Sequence, residues 1–170
     1  LAELLYRMPM ALEQMLQKYE PANKAYFEYL SFFPKGARVL DIRRRLPQVY
    51  EAAGDKKNAL RFYEKLIADA SLAADTRVDA SIRKATILEK DEQKEEAEKT
   101  FEAALAFDST RRGEIYMRLE KLTDNFDYVQ RALETPGDEK FRFAALERLV
   151  NKAQKDKNEK ELRKLLTEYG

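Results

Sequence analysis

The chain has 170 residues, with 32 Lys and Arg against 31 Asp and Glu and a formal net charge of +1. Histidine, cysteine and tryptophan are absent, which excludes Cys/His zinc sites, thiol nucleophiles, disulfides and any triad that needs an imidazole base. Hydrophobic residues make up 44% and charged residues 37%, too apolar for wholesale disorder and too charged for a membrane-embedded protein.

Helix formers dominate: 21 Leu, 22 Ala, 20 Glu and 17 Lys stand against five Val and five Ile. Five Gly and five Pro leave little material for β-turns, so the expectation is an all-α chain. No apolar run approaches the roughly 18 residues that span a bilayer, so no membrane insertion is expected. Leu1 stands where a start methionine would, which predicts a fragment or mature piece of a longer chain. The lack of cysteine fits an oxidising and a reducing compartment equally.

The N-terminal stretch carries Leu5, Met8, Leu12, Met15, Leu16 and Tyr19 in helical phase straight through Pro9. Two readings fit: a helix running through the proline, or Pro9 starting a new helix with Leu1–Arg7 ending an earlier one. The second is preferred, because proline suits a first helical turn. Ala22–Phe33 forms the partner helix and stops at Pro34-Lys35-Gly36. The next helix runs from about Arg38 to Ala53 and ends at Gly54-Asp55, with Pro47 expected to bend it. Its partner covers about Lys57 to Ala70, with Ala59, Tyr63, Leu66 and Ile67 on one face. Asp75–Lys90 pairs with Gln93–Phe107, then Ser109–Leu122 with Asn125–Glu134, then Asp138–Lys155 with Asn158–Tyr169. Asp75, Ser109, Asp138 and Asn158 stand where N-caps belong.

An internal repeat runs through these elements. A small or apolar residue followed four positions later by a large one recurs at Ala22/Tyr26, Ala59/Tyr63, Ala97/Phe101, Val129/Leu133 and Leu162/Leu166. The steps are 37, 38, 32 and 33 residues. A period near 35 is what stacked helical hairpins produce. The predicted hairpins are 1–34, 37–71, 75–107, 109–135 and 138–169, in a single repeat domain.

These residues resemble the tetratricopeptide repeat (TPR). Ala22, Tyr26, Tyr29 and Pro34 fall on the spacing of that family's second helix. So do Ala59, Tyr63 and Leu66, with Tyr50 upstream, and Ala97, Phe101 and Ala104, with Leu88 upstream. Arg43, Pro47, Ser81 and Lys84 depart from the pattern, and the last two hairpins keep only the anchor pair. The resemblance implies an all-α right-handed superhelical array, an α-solenoid of about five antiparallel hairpins. The stretch Ala25–Leu66 looks most like divergent TPRs of bacterial cell-envelope scaffolds, which implies a periplasmic or envelope location rather than a cytoplasmic one.

Catalysis finds no support in the residues, and no cofactor is expected. Glu95/Glu96 and Glu92/Glu98 sit in a sign-alternating segment that reads as a solvated helix face. No Gly-rich phosphate loop and no EF-hand spacing occur. The arginines are more informative. Eleven of the 15 fall in first helices of hairpins: Arg38, Arg43, Arg44, Arg45, Arg77, Arg83, Arg111, Arg112, Arg118, Arg142 and Arg148. In a TPR-like array the first helices line the concave groove, and the resemblance places Arg44, Arg45, Gln48, Ile82, Arg83, Thr86, Tyr116 and Glu120 there. Guanidinium forks suit carboxylates and phosphates. The competing reading pairs the arginines internally with Asp41, Asp79, Glu114 and Glu147. A carboxylate clamp of the co-chaperone type is not matched, since Arg44, Gln48 and Arg83 hold the places of its Lys and Asn residues.

Phe27 and Phe32 lie off the stripe of Tyr26, Tyr29 and Phe33 and form a candidate hydrophobic contact patch. The function expected is a non-catalytic scaffold whose groove binds a protein or peptide with acidic segments inside a multiprotein assembly. The alternative is polyanion binding, to an acidic polysaccharide or nucleic acid, along the same arginines. The net charge of +1 disfavours nucleic acid. The apolar N-terminal helix is expected to meet an upstream repeat or a second copy of the chain.

Overall fold

The computed structural model describes residues 1–15, 17–137 and 139–169, without the side chain of Gln14. Among the described residues the chain forms ten α-helices: α1 Ala2–Gln14, α2 Tyr19–Phe32, α3 Val39–Ala52, α4 Lys56–Ala68, α5 Ala74–Lys90, α6 Lys94–Ala104, α7 Arg112–Thr123, α8 Asp127–Glu134, α9 Glu139–Lys155 and α10 Glu159–Tyr169. Consecutive helices pack as hairpins, and each hairpin packs its neighbour within two compact units, Leu1–Leu72 and Ala73–Gly170.

The anchor residues explain why. Ala22, Tyr26, Ala59, Tyr63, Ala97, Phe101, Val129 and Leu133 are all buried. Spaced four apart, each pair presents one small and one large side chain on the same helix face, so a neighbouring helix approaches closely at the first and is filled by the second. In unit 1 Tyr26 and Tyr29 join Tyr6, Ile42, Leu46 and Val49 in one core. In unit 2 the C-terminal core collects Val129, Ala132, Leu133, Ala145 and Leu165.

The last hairpin shifts the frame. Leu166 is 57% exposed, and Leu165 is the buried residue of α10. The large position of the expected pair Leu162/Leu166 is therefore corrected to Leu165. Leu162, Leu165 and Leu166 satisfy a helical stripe in two phases, and packing against α9 selects the one through Leu165.

Pro9 lies inside α1, which runs unbroken from Ala2 to Gln14, so the reading that Pro9 starts a new helix is corrected. Proline removes one backbone hydrogen bond, to the Leu5 carbonyl. Tyr6 and Pro9 are both buried, and that burial offsets the loss. Pro47 is likewise accommodated and buried inside α3.

The hairpin turns share one device. Gln17, Gly54, Glu92, Asp124 and Lys157 all have positive φ, and four of the five are not glycine. After the turn residue, the next amide reaches back across the helix end: Asp55 to the Tyr50 carbonyl at 2.9 Å, Gln93 to Leu88 at 2.9 Å and Asn158 to Ala153 at 2.8 Å. This is the Schellman closure, which satisfies carbonyls that a helix end leaves orphaned. Lys18 makes a wider version of it, to the Leu12 carbonyl at 2.8 Å. Gly36, between α2 and α3, serves another need, because a Cβ there would stand 2.7 Å from the Tyr29 hydroxyl.

Of the expected N-caps, Asn158 accepts the Glu161 amide at 3.1 Å. Asp75 instead lies inside the first turn of α5 and accepts the Ser109 hydroxyl at 2.6 Å. Ser109 accepts the Arg111 amide three residues ahead of the first α7 position. Asp55 caps α4 through the Asn58 amide at 3.1 Å. The expected cap Asp138 and the stripe residue Leu16 lie outside the described residues.

Candidate functional site

In unit 1 the first helices α1 and α3 border an open cleft of about 490 Å³ lined by Tyr6, Glu13, Asp41, Arg44, Arg45 and Gln48. Glu13 is its internal hub. Its carboxylate accepts the Tyr26 hydroxyl at 2.9 Å and the Arg45 guanidinium at 3.4 Å, so α1, α2 and α3 meet at one acid. Burial, reinforced by the charge of Glu13, raises the Tyr26 phenol above its ordinary value. Burial works to lower Arg45, but Tyr26 and Glu13 outweigh it and hold the guanidinium above its ordinary value. Asp41 faces Arg38 at 3.6 Å. Gln48 donates to the Arg44 carbonyl at 3.2 Å. The Arg44 side chain is exposed and has no carboxylate partner among the described residues. Of the charges lining this cleft, Arg44 alone is left uncompensated there.

Unit 2 uses its arginines differently. Arg111 donates to Asp79 at 2.9 Å and to Glu114 at 2.6 Å. Arg118 donates to Glu114 at 3.1 Å and to the Thr86 hydroxyl at 3.4 Å. Arg148 holds Glu120 with both terminal nitrogens, at 2.5 and 2.6 Å. Charge-assisted forks of this kind are the strong form of the hydrogen bond. Glu114 and Glu120 are both buried, and their arginines are the reason such burial is tolerated.

The expected groove residues of unit 2 therefore differ in availability. Arg83 is exposed and donates to Asp79 at 3.2 Å. Thr86 is half-buried and donates to the Ile82 carbonyl at 2.8 Å. Ile82 and Glu120 are buried, 4% exposed each. Tyr116 stacks on Tyr128 with ring centroids 6.1 Å apart.

The pairs follow the repeat. Glu3–Arg38, Glu13–Arg45, Asp79–Arg111 and Glu120–Arg148 each join one first helix to the next, with the acid earlier in the chain. Glu114 pairs with Arg111 and Arg118, three and four residues away, as the internal-pairing reading expects. Glu120 was expected in the groove and Glu13 was not singled out; their arginines stand about one repeat away, and that spacing is the signal that could have found them.

Phe27 and Phe32 are exposed, 42% and 69%. Phe27 packs on Phe62 of α4 with ring centroids 5.9 Å apart, and Phe62 stacks on Tyr50 at 5.4 Å. Phe62 and Lys65 escaped the sequence reading, and Tyr50 entered it only as a repeat position, since nothing in the spacing of α4 places Phe62 opposite Phe27.

Among the described residues no group of three or more acidic residues is arranged to hold a metal ion. No described helix is long and apolar enough to cross a membrane.

The hairpins, their buried anchors and their turn closures define a TPR-like, all-α helical-repeat fold. Solved structures share it: a putative kinesin light chain from Podosopora anserina with nearly identical TPR-like repeats has a TM-score of 0.53 at 17% identity, covering 98% of this chain and 92% of that one. A MamA RS-1 double mutant has a TM-score of 0.57 at 16% identity over 98% and 90% of the two chains. Another MamA crystal structure has a TM-score of 0.56 at 14% identity over 91% and 88%. No protein-family model and no curated protein matches the sequence.

Proposed function

We propose that the chain is a non-catalytic scaffold that binds a partner protein or peptide carrying acidic segments. The fold supports it, because stacked hairpins of this kind present extended surfaces to other chains. The observation that carries the reading is the α1/α3 cleft of unit 1, where Arg44 is exposed without an acid partner among the described residues. A carboxylate entering there meets a guanidinium and needs to break no internal pair. Within unit 2, Arg83 contributes at the surface, while Ile82 and Glu120 support the helices that carry the groove.

Polyanion binding along the arginines is the weaker reading. The guanidinium groups of Arg45, Arg111, Arg118 and Arg148 are committed to Glu13, Asp79, Glu114 and Glu120, which leaves little uncompensated charge for counterion release. The exposed Leu1, Leu4, Met8 and Met15 along and beside α1 support contact with a further helix, from a second copy or an upstream repeat. A place in a multiprotein assembly at a bacterial envelope rests on the sequence resemblance alone.

The test is capture of partners from native extract by the chain and by Arg44→Glu, followed by titration of acidic peptides cut from whatever is captured. Arg44→Glu is expected to weaken these peptides about tenfold or more. Equal affinity for both proteins would sink the cleft as the binding site. Duplex DNA competing better than the peptides, and losing affinity steeply with salt, would favour the polyanion reading.

A further inference from the structure

The second helices of unit 1, α2 and α4, carry two adjoining clefts on a face distinct from the Arg44 site. One, of about 270 Å³, is lined by Phe27, Leu30, Phe62, Lys65, Leu66 and Arg43. The other, of about 530 Å³, shares Phe27 with it and is bordered by Asn23, Lys24 and Tyr50. Between them runs the aromatic row Phe27–Phe62–Tyr50, with ring centroids 5.9 and 5.4 Å apart.

Arg43 is held by Asp69 at 2.6 Å, but Lys65 has no carboxylate partner among the described residues, and its ammonium rests 4.8 Å from the Phe62 ring centroid.

Each observation restricts the occupant. A space of about 270 Å³ suits a single bulky side chain. Walls of ring edges and leucines favour an aromatic or large aliphatic group. The unpaired ammonium calls for a carboxylate beside that group. We propose that the α2/α4 face of unit 1 docks a peptide segment of a partner protein. That segment sets one aromatic or large aliphatic anchor against Phe27 and Phe62 and a carboxylate on Lys65. This surface is independent of the Arg44 cleft.

The probe is a short synthetic peptide of Glu and Ser with one central Phe, labelled with fluorescein and titrated into the full chain by anisotropy. Control probes replace Phe by Ala or replace Glu by Lys. Phe27 and Lys65 are surface residues, so Phe27→Ala and Lys65→Glu are expected to keep the helical circular dichroism of the parent. Binding of the Phe probe should weaken about tenfold with Phe27→Ala and about fivefold with Lys65→Glu. Arg44→Glu should leave the affinity unchanged. The proposal is overturned by a Phe probe that does not bind, by an Ala probe that binds equally, or by affinity indifferent to Phe27→Ala. Binding abolished by Arg44→Glu alone would also overturn it, placing the probe in the first-helix cleft while leaving the proposed function intact.

Discussion

Unit 1 buries Tyr6, Tyr26, Tyr29 and Tyr63, whereas the described part of unit 2 buries one aromatic ring, Phe101, and two carboxylates, Glu114 and Glu120. Unit 1 thus fills its core with large amphipathic rings and satisfies their hydroxyls at the edge, as Tyr26 does with Glu13 and Tyr63 with Glu51 at 3.0 Å. Unit 2 packs alanine and aliphatic residues and joins its first helices with ion pairs. The same hairpin plan is therefore stabilised mainly by ring burial in one unit and by aliphatic packing plus buried internal charge in the other. The difference bears on function: arginines consumed by internal carboxylates are not offered to a partner, and Arg44 and Lys65, which have no carboxylate partner among the described residues, both belong to the aromatic unit.

The largest expected effect comes from removing a ring. Tyr26→Ala should cost about 3–5 kcal/mol in chemical denaturation, because nothing nearby can collapse into the space. Tyr26→Phe should cost about 1 kcal/mol, the value of one hydrogen bond. If the two variants cost the same, the hydroxyl and not the ring would be the stabilising part, and the contrast between the units would dissolve.

Next comes the charged side. Breaking a buried pair costs about 3–5 kcal/mol when the remaining charge stays buried. Arg148 is nearly half exposed and can rehydrate, so Glu120→Ala should cost about 1–3 kcal/mol. A double-mutant cycle with Arg148→Ala measures the coupling directly. A coupling near zero would mean that unit 2 does not depend on its internal charge.

The smallest effect is at Asp69 in unit 1. Hydrogen bonds from Ser71 and then from Arg43 hold its carboxyl at about 2, below its ordinary 3.8. A folded-state value below the unfolded one means that the contribution is present above about 3.8 and is lost as pH falls toward about 2. Following the Asp69 side-chain carbon by NMR checks this; a midpoint near 4 would show that Arg43 is free and would add a second available cation to the α2/α4 face.

The repeat was legible because each anchor pair solves a local problem, close approach and filling, with residues four apart. The phase of α10 was not, since Leu162, Leu165 and Leu166 offer two legal stripes and only α9 chooses between them. Pro9 misled for a related reason: proline signals a helix start by its backbone, while burial of Tyr6 and Pro9 is a tertiary fact. At the candidate site, clustering of arginines was visible, but the fate of each was not. Arg44 and Arg45 are adjacent in sequence, yet one turns to Glu13 and the other to solvent. Phe27 was picked out for lying off the stripe, whereas its cleft needed Phe62 and Lys65 from a helix some 35 residues away.

The one-repeat spacing of the acid–arginine pairs gives the chain a direction. Each such first helix offers a carboxylate forward, and the next answers with a guanidinium, so the hairpins behave as keyed connectors rather than interchangeable bricks. A hairpin duplicated or transplanted within the unit would join cleanly only if it carried the socket that its predecessor's plug expects. Growth of such an array by copying is thereby restricted to segments that preserve both halves of the key.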